Sequence, residues 1–148
     1  WGQSLGASVA LQALALDERL QFGIIESTFS DYETIANDYV DYFAHANIET
    51  FTNYVVYRSG KIAGFDPYDA RPIEKCKEIE QPVLMVHGDE DKRIDIAYGK
   101  ANYKNLKSEN KAFLEIKGAN HLNVWEVGGE AYFTKVCNFI DDALDKDK

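Results

Sequence analysis

The chain has 148 residues, 45% of them hydrophobic, and carries a formal charge of −9. That is long enough for one domain with its own core. Its acidity argues against nucleic acid as a partner, because phosphate contacts need clustered Lys and Arg, and against adsorption to anionic membranes. No apolar run approaches the ~20 residues of a membrane-spanning helix.

Trp1-Gly2-Gln3-Ser4-Leu5-Gly6 contains a G-x-S-x-G pattern that runs directly into a small-residue segment. Ala7 to Leu16 is nearly all apolar with good helix formers, which predicts a helix packed on a sheet and ended by Asp17-Glu18-Arg19. A serine hydroxyl is inert until geometry and a base make it a nucleophile. Flanking glycines allow a sharp strand-to-helix turn that lifts Ser4 out of a sheet. The helix N-terminus behind it favours negative charge, so the backbone N–H of Leu5 is a candidate oxyanion donor. The same five residues also suit an ordinary Gly-rich loop before a helix.

Phe22 to Ile25 predicts a strand, and Thr28-Phe29-Ser30-Asp31 supplies N-cap residues for the segment after it. From there to about Gly64 the chain reads as one or two helices rich in Phe and Tyr. The insertion, about residues 29–72, falls between two strands and is expected to form a helical cap. Its aromatic rings, Phe29 among them, either shape a substrate pocket, for which Gln3 beside Ser4 is a further candidate, or pack the cap onto the body. His45 lies in this insertion with no nucleophile signal near it. Asp66-Pro67-Tyr68 and Arg71-Pro72 punctuate the exit, and Ile73 to Ile79 predicts a short charged helix.

Val83 to Val86, introduced by Pro82 and closed by Gly88, is a continuous apolar run that predicts a strand buried on both faces of a parallel sheet. Asp89, Glu90 and Asp91 follow where open α/β sheets collect functional groups. Asp89 and Glu90 read as a solvated turn, and Asp95 as surface charge on the first turn of a helix over Ile94 to Leu106. His87, at a buried strand end, reads as a packed structural residue. Phe113 to Ile116 predicts a third strand, ended by Gly118, with His121 in the loop beyond. Neutral imidazole is the usual base for a serine hydroxyl. Tyr132 to Leu144 predicts the last helix, and Asp145-Lys146-Asp147-Lys148 a solvated, frayed tail. Cys76 and Cys137 show no CxxC or Cys/His metal spacing, so free, reduced, partly buried thiols and no metal site are expected. The compartment stays open, with the cytoplasm favoured.

Ser4, Asp91 and His121 occur in that order, each in a loop after a predicted strand. One helix and one strand separate the acid from the base, the spacing that brings neighbouring strand ends together. With these residues in place, the chain resembles the α/β-hydrolase superfamily. Gly2-Gln3-Ser4-Leu5-Gly6-Ala7 and Ile25-Glu26-Ser27-Thr28-Phe29 are similar to its serine aminopeptidase and monoglyceride-lipase-like branch. His87-Gly88-Asp89-Glu90-Asp91-Lys92-Arg93-Ile94 resembles the family's H-G-x-x-D-x-x-V/I motif, which assigns the triad acid to Asp91. Gly118-Ala119-Asn120-His121 resembles the base loop and assigns the base to His121.

The resemblance implies a partial α/β-hydrolase fold over 1–148: about three parallel strands, flanking helices and the cap. It also implies a serine hydrolase that cleaves a carboxylic ester, or a peptide amide or thioester, through an acyl-enzyme without a cofactor. A non-catalytic scaffold of this fold and a protein-interaction module are the alternatives. A complete member has further strands and a second oxyanion donor before the elbow, so the chain reads as a C-terminal half. Losing one such donor typically costs about 100- to 1,000-fold in turnover, so weak or absent activity is expected of this half alone. The Phe22–Ile25 strand would then expose an apolar edge able to pair with another chain.

Overall fold

The computed structural model describes residues 1–44 and 48–145. His45 and the tail residues Lys146 to Lys148 fall outside the described residues.

The strands form a single parallel sheet in the order β1 (Gly2–Gln3), β2 (Gly23–Glu26), β3 (Val83–Gly88), β4 (Lys111–Ile116). Helices α1 (Leu5–Leu16), α5 (Ile96–Asn105) and α6 (Val124–Asp145) connect or follow them. Between β2 and β3 lie α2 (Tyr32–Ala44), α3 (Glu49–Ala63), a 3₁₀ turn at Pro67–Asp69, the short α4 (Pro72–Lys75) and a second 3₁₀ turn at Cys76–Glu78.

Alternation along β3 sets the layers. Val83 and Met85 enter one core with Leu11 and Leu14 of α1 and with Ile79 and Leu106. Leu84 and Val86 enter the other with Ile24, Ile116 and the α6 residues Val124, Val136 and Phe139. Each fully buried Val, Leu or Ile contributes roughly 1.5–3 kcal/mol, so a strand apolar on both faces is stable only between two helical layers. Cys76 belongs to the first core, and burial pushes its thiol up to about 12, which leaves it an inert packing group.

The observed elements depart from the expected ones in four places. The sheet has four strands, because Gly2–Gln3 pairs with Ile25 and Glu26. The outer edge of the sheet is therefore this two-residue strand and not Phe22–Ile25. Helix α1 buries Ala7, Ser8, Leu11 and Leu14, while Leu5, Val9 and Leu16 remain exposed, so only one of its faces meets the sheet. The last helix begins earlier than expected, at Val124, and is interrupted at Gly129, whose φ of 53° breaks the helical turn. Cys137 is exposed where a partly buried thiol was expected.

Two close approaches pin the site. At Gly88 an added Cβ would lie 2.3 Å from the Ala119 carbonyl oxygen, so the end of β3 touches the loop carrying His121. Glu26, 3% exposed at the end of β2, accepts a hydrogen bond from the Tyr132 hydroxyl of α6. Burial raises the Glu26 carboxyl above its ordinary value of 4.5, and hydrogen bonds from Tyr132 and Trp1 only partly offset this.

Gly88→Ala should lower the unfolding free energy by about 1–3 kcal/mol, read from the urea midpoint at unchanged slope. The raised Glu26 contributes most favourably at low pH, and its contribution is lost as pH rises through the folded-state value. The stability of Glu26→Gln relative to the parent should therefore improve from acid to neutral pH in paired denaturation curves. A pH-independent difference would contradict the buried, raised carboxyl.

Candidate active site

Ser4 joins β1 to α1 with φ 56° and ψ −122°, a left-handed conformation that costs a non-glycine residue about 1–3 kcal/mol. The surroundings enforce it. The Ser4 N–H donates to the Glu26 carbonyl at 2.9 Å, while the Ser4 carbonyl accepts from Ala7 N–H at 3.0 Å. Gly2 permits the tight turn, since a Cβ there would lie 2.3 Å from the Gly6 carbonyl oxygen. At Gly6 a Cβ would meet nothing within 4 Å among the described residues, so of the two pattern glycines it is Gly2 that the turn needs. Leu5 begins α1, and its N–H is one of the first-turn donors that no intrahelical carbonyl can satisfy.

Asp91 follows β3 by three residues, and its side chain has no solvent exposure. Oδ1 accepts the backbone N–H groups of Arg93 and Ile94, each at 2.9 Å. Oδ2 lies 2.8 Å from His121 Nδ1 and 3.4 Å from His87 Nε2. Burial by itself raises this carboxyl, but the hydrogen bonds from His121, His87 and Ile94 outweigh burial and hold it well below the usual carboxylate range. An ionised carboxylate only accepts, so His121 Nδ1 carries the proton and donates. In the neutral imidazole that leaves a lone pair on His121 Nε2, to which the Ser4 hydroxyl, 3.0 Å away, can donate. The one proton on His87 Nε2 is shared between the Ile94 carbonyl at 2.9 Å and, at the longer 3.4 Å, Asp91 Oδ2, and among the described residues its Nδ1 is buried without a partner.

The loops carrying Asp91 and His121 are tied together directly. Glu90 N–H donates to the Ala119 carbonyl at 3.0 Å, and Gly118 N–H donates to Asp89 Oδ1 at 2.6 Å. Asp89 and Glu90 are exposed, so both stay in the turn, and Asp95 caps α5 by accepting from Ala97 N–H.

A cavity of about 350 Å³ opens beside Ser4 and Leu5, walled by Phe29, Ile35, Tyr39 and Ile94. Phe29 thus lies at the site. Gln3 does not line this cavity; its amide Nε2 donates to the His121 carbonyl at 3.5 Å. The α2 residues Tyr32, Ile35, Ala36 and Tyr39 all face the cavity; the two tyrosines belong to the aromatic set expected either to shape a pocket or to pack the cap, while Ile35 and Ala36 were missed from the sequence. The i, i+3, i+4, i+7 spacing of the four is the signal that could have found these two.

A family model described as the prolyl oligopeptidase family matches residues 1–147. The chain is 25% identical over 147 residues to alpha/beta hydrolase domain-containing protein WAV2 of Arabidopsis thaliana, covering 95% of this chain and 46% of that protein. It is 34% identical over 62 residues to acyl-protein thioesterase 1 homolog 1 of Dictyostelium discoideum, covering 40% of this chain and 27% of that one. Among solved structures, an esterase of Pyrococcus furiosus superposes with a TM-score of 0.72 at 20% identity, covering 95% of this chain and 51% of the other. The chain spans between about a quarter and half of the lengths of these relatives. The matching family differs in name from the branch that the elbow motifs resemble. On this match and this fold, the chain belongs to the prolyl oligopeptidase family, within the α/β-hydrolase superfamily.

Proposed function

We propose that the chain carries the nucleophile, base and acid of a serine hydrolase that cleaves a carboxylic ester through an acyl-enzyme. One observation carries the reading: an unbroken hydrogen-bond line from Ser4 Oγ to His121 Nε2 at 3.0 Å, and from His121 Nδ1 to Asp91 Oδ2 at 2.8 Å. The turn at Ser4, with φ 56°, holds its hydroxyl toward that imidazole.

Ser4 Oγ attacks the acyl carbon while His121 Nε2 takes its proton, and Asp91 holds the tautomer and stabilises the imidazolium. The Leu5 N–H donates to the oxyanion, assisted by the positive end of α1. His121 returns the proton to the departing oxygen, and water repeats the attack to free the acid. An acyl chain without charge suits the cavity beside Ser4, whose walls are Phe29, Ile35, Tyr39 and Ile94. In this reading the helices between β2 and β3 act as the cap. The names of the esterase and thioesterase relatives agree with an oxygen or sulfur leaving group, and the family name keeps a peptide amide as the second substrate class.

In the full-length protein, hydrolysis of p-nitrophenyl butyrate should fall by roughly 10⁴-fold in Asp91→Asn and by at least as much in Ser4→Ala or His121→Ala. The Ser4→Ala/His121→Ala double variant should lose little more than either single one, because the groups act as a unit. Turnover surviving Ser4→Ala would overturn the reading in favour of a scaffold or a different nucleophile.

A further inference from the structure

We propose that the protein selects esters whose leaving group carries a negative charge, held by Lys92 and Arg93 beside His121. The inference rests on the hydrolase reading and deepens it.

Two cavities flank the line from Ser4 to His121. The apolar one contains Ser4. The other, about 360 Å³, contains His121 and is lined by Tyr42, Glu90, Lys92, Arg93 and Asn120. The imidazole that deprotonates the serine must hand that proton to the departing oxygen, so the leaving group lies on the His121 side. The acyl carbon, bonded to Ser4 Oγ, lies on the side of the apolar cavity. The ester C–O bond breaks as the Ser4 Oγ–C bond forms, and the serine proton leaves on the departing alcohol or phenol. Water then supplies the proton that restores Ser4. A carboxylate or phosphate elsewhere on the leaving group stays ionised throughout.

The second cavity has the chemistry to meet such a charge. Against a net charge of −9, it places two consecutive cations next to the base. The side chains of Lys92 and Arg93 form no ion pair among the described residues, as is also true of Lys104, Lys117 and Lys135, but only Lys92 and Arg93 line the cavity that contains His121. Glu90 on the same rim offsets one of the two charges. Asn120 Oδ1 accepts the Leu122 N–H at 2.9 Å, which leaves the Asn120 amide N–H groups as further donors. The positions are not left to chance, because the Arg93 and Ile94 N–H groups are both bound to Asp91 Oδ1.

The test compares 4-(butanoyloxy)benzoate with its methyl ester on the full-length protein, as the ratio of their kcat/KM values. Reading changes in this ratio cancels the difference in intrinsic reactivity. Exposed charge pairs are weak, so the ratio should fall about tenfold in Lys92→Gln/Arg93→Gln and be retained in Lys92→Arg/Arg93→Lys. In the parent protein it should also fall between about 0.05 and 0.5 M salt. A ratio insensitive to both the Gln pair and salt overturns the proposal. So does a charge-dependent gain that appears only for an anionic acyl group, tested with mono-4-nitrophenyl succinate. Absence of Ser4-dependent turnover of every ester overturns the underlying hydrolase reading instead.

Discussion

A carboxylate shut away from water organises this end of the molecule. Asp91 has a side chain with no exposure, and an isolated charge there would cost several kcal/mol or be neutralised. It stays ionised because donors surround it: two backbone N–H groups from the start of the next segment, His121, and His87 from β3. The donors come from three stretches of chain. Satisfying one buried charge therefore fixes the end of β3, the entry to α5 and the loop after β4 relative to one another. The tautomer of His121 follows, and with it the lone pair facing Ser4.

The parallel sheet makes the convergence possible. Strands β1, β2, β3 and β4 lie side by side in sequence order, so their C-terminal ends share one rim. Ser4, Asp91 and His121 all sit just past strand ends on that rim. The contact between Gly88 and Ala119 closes the gap between the loops carrying Asp91 and His121, and the Ser4 N–H bond to the Glu26 carbonyl anchors Ser4 to β2. Beneath it, the Tyr132–Glu26 hydrogen bond ties β2 to the helix that follows the base loop. Rigid elements thus hold the hydroxyl, imidazole and carboxylate, as a reacting constellation requires.

Features set by local chemistry were legible in the sequence, while those set by distant partners were not. β3 was visible because four consecutive apolar residues, too few for a helix and bounded by Pro82 and Gly88, suit a strand buried on both faces. The elbow was visible because Gly2 and Ser4 carry the turn in adjacent residues. β1 was not, since two residues have no periodicity and Gly2–Gln3 becomes a strand only by pairing with Ile25 and Glu26. The uneven burial of α1 was hidden for a related reason: an all-apolar helix does not say which face meets the sheet. His87 was read as structural, yet its Nε2 also reaches the Asp91 carboxylate, a contact that depends on the loop folding back over the strand end. The Glu26–Tyr132 pair spans 106 residues and leaves no local trace. By contrast, the Tyr32, Ile35, Ala36, Tyr39 stripe and the Gly128-Gly129 pair that interrupts α6 were present as patterns and were passed over.

The central claim is that His121, backed by Asp91, makes the Ser4 hydroxyl a nucleophile. The most direct measurement is the rate and position of labelling of the full-length protein by a fluorophosphonate, mapped by peptide mass spectrometry. The account predicts a single adduct on Ser4, formed at least 100-fold more slowly in His121→Ala. Labelling at another residue, or labelling of Ser4 at an unchanged rate without the imidazole, would contradict it.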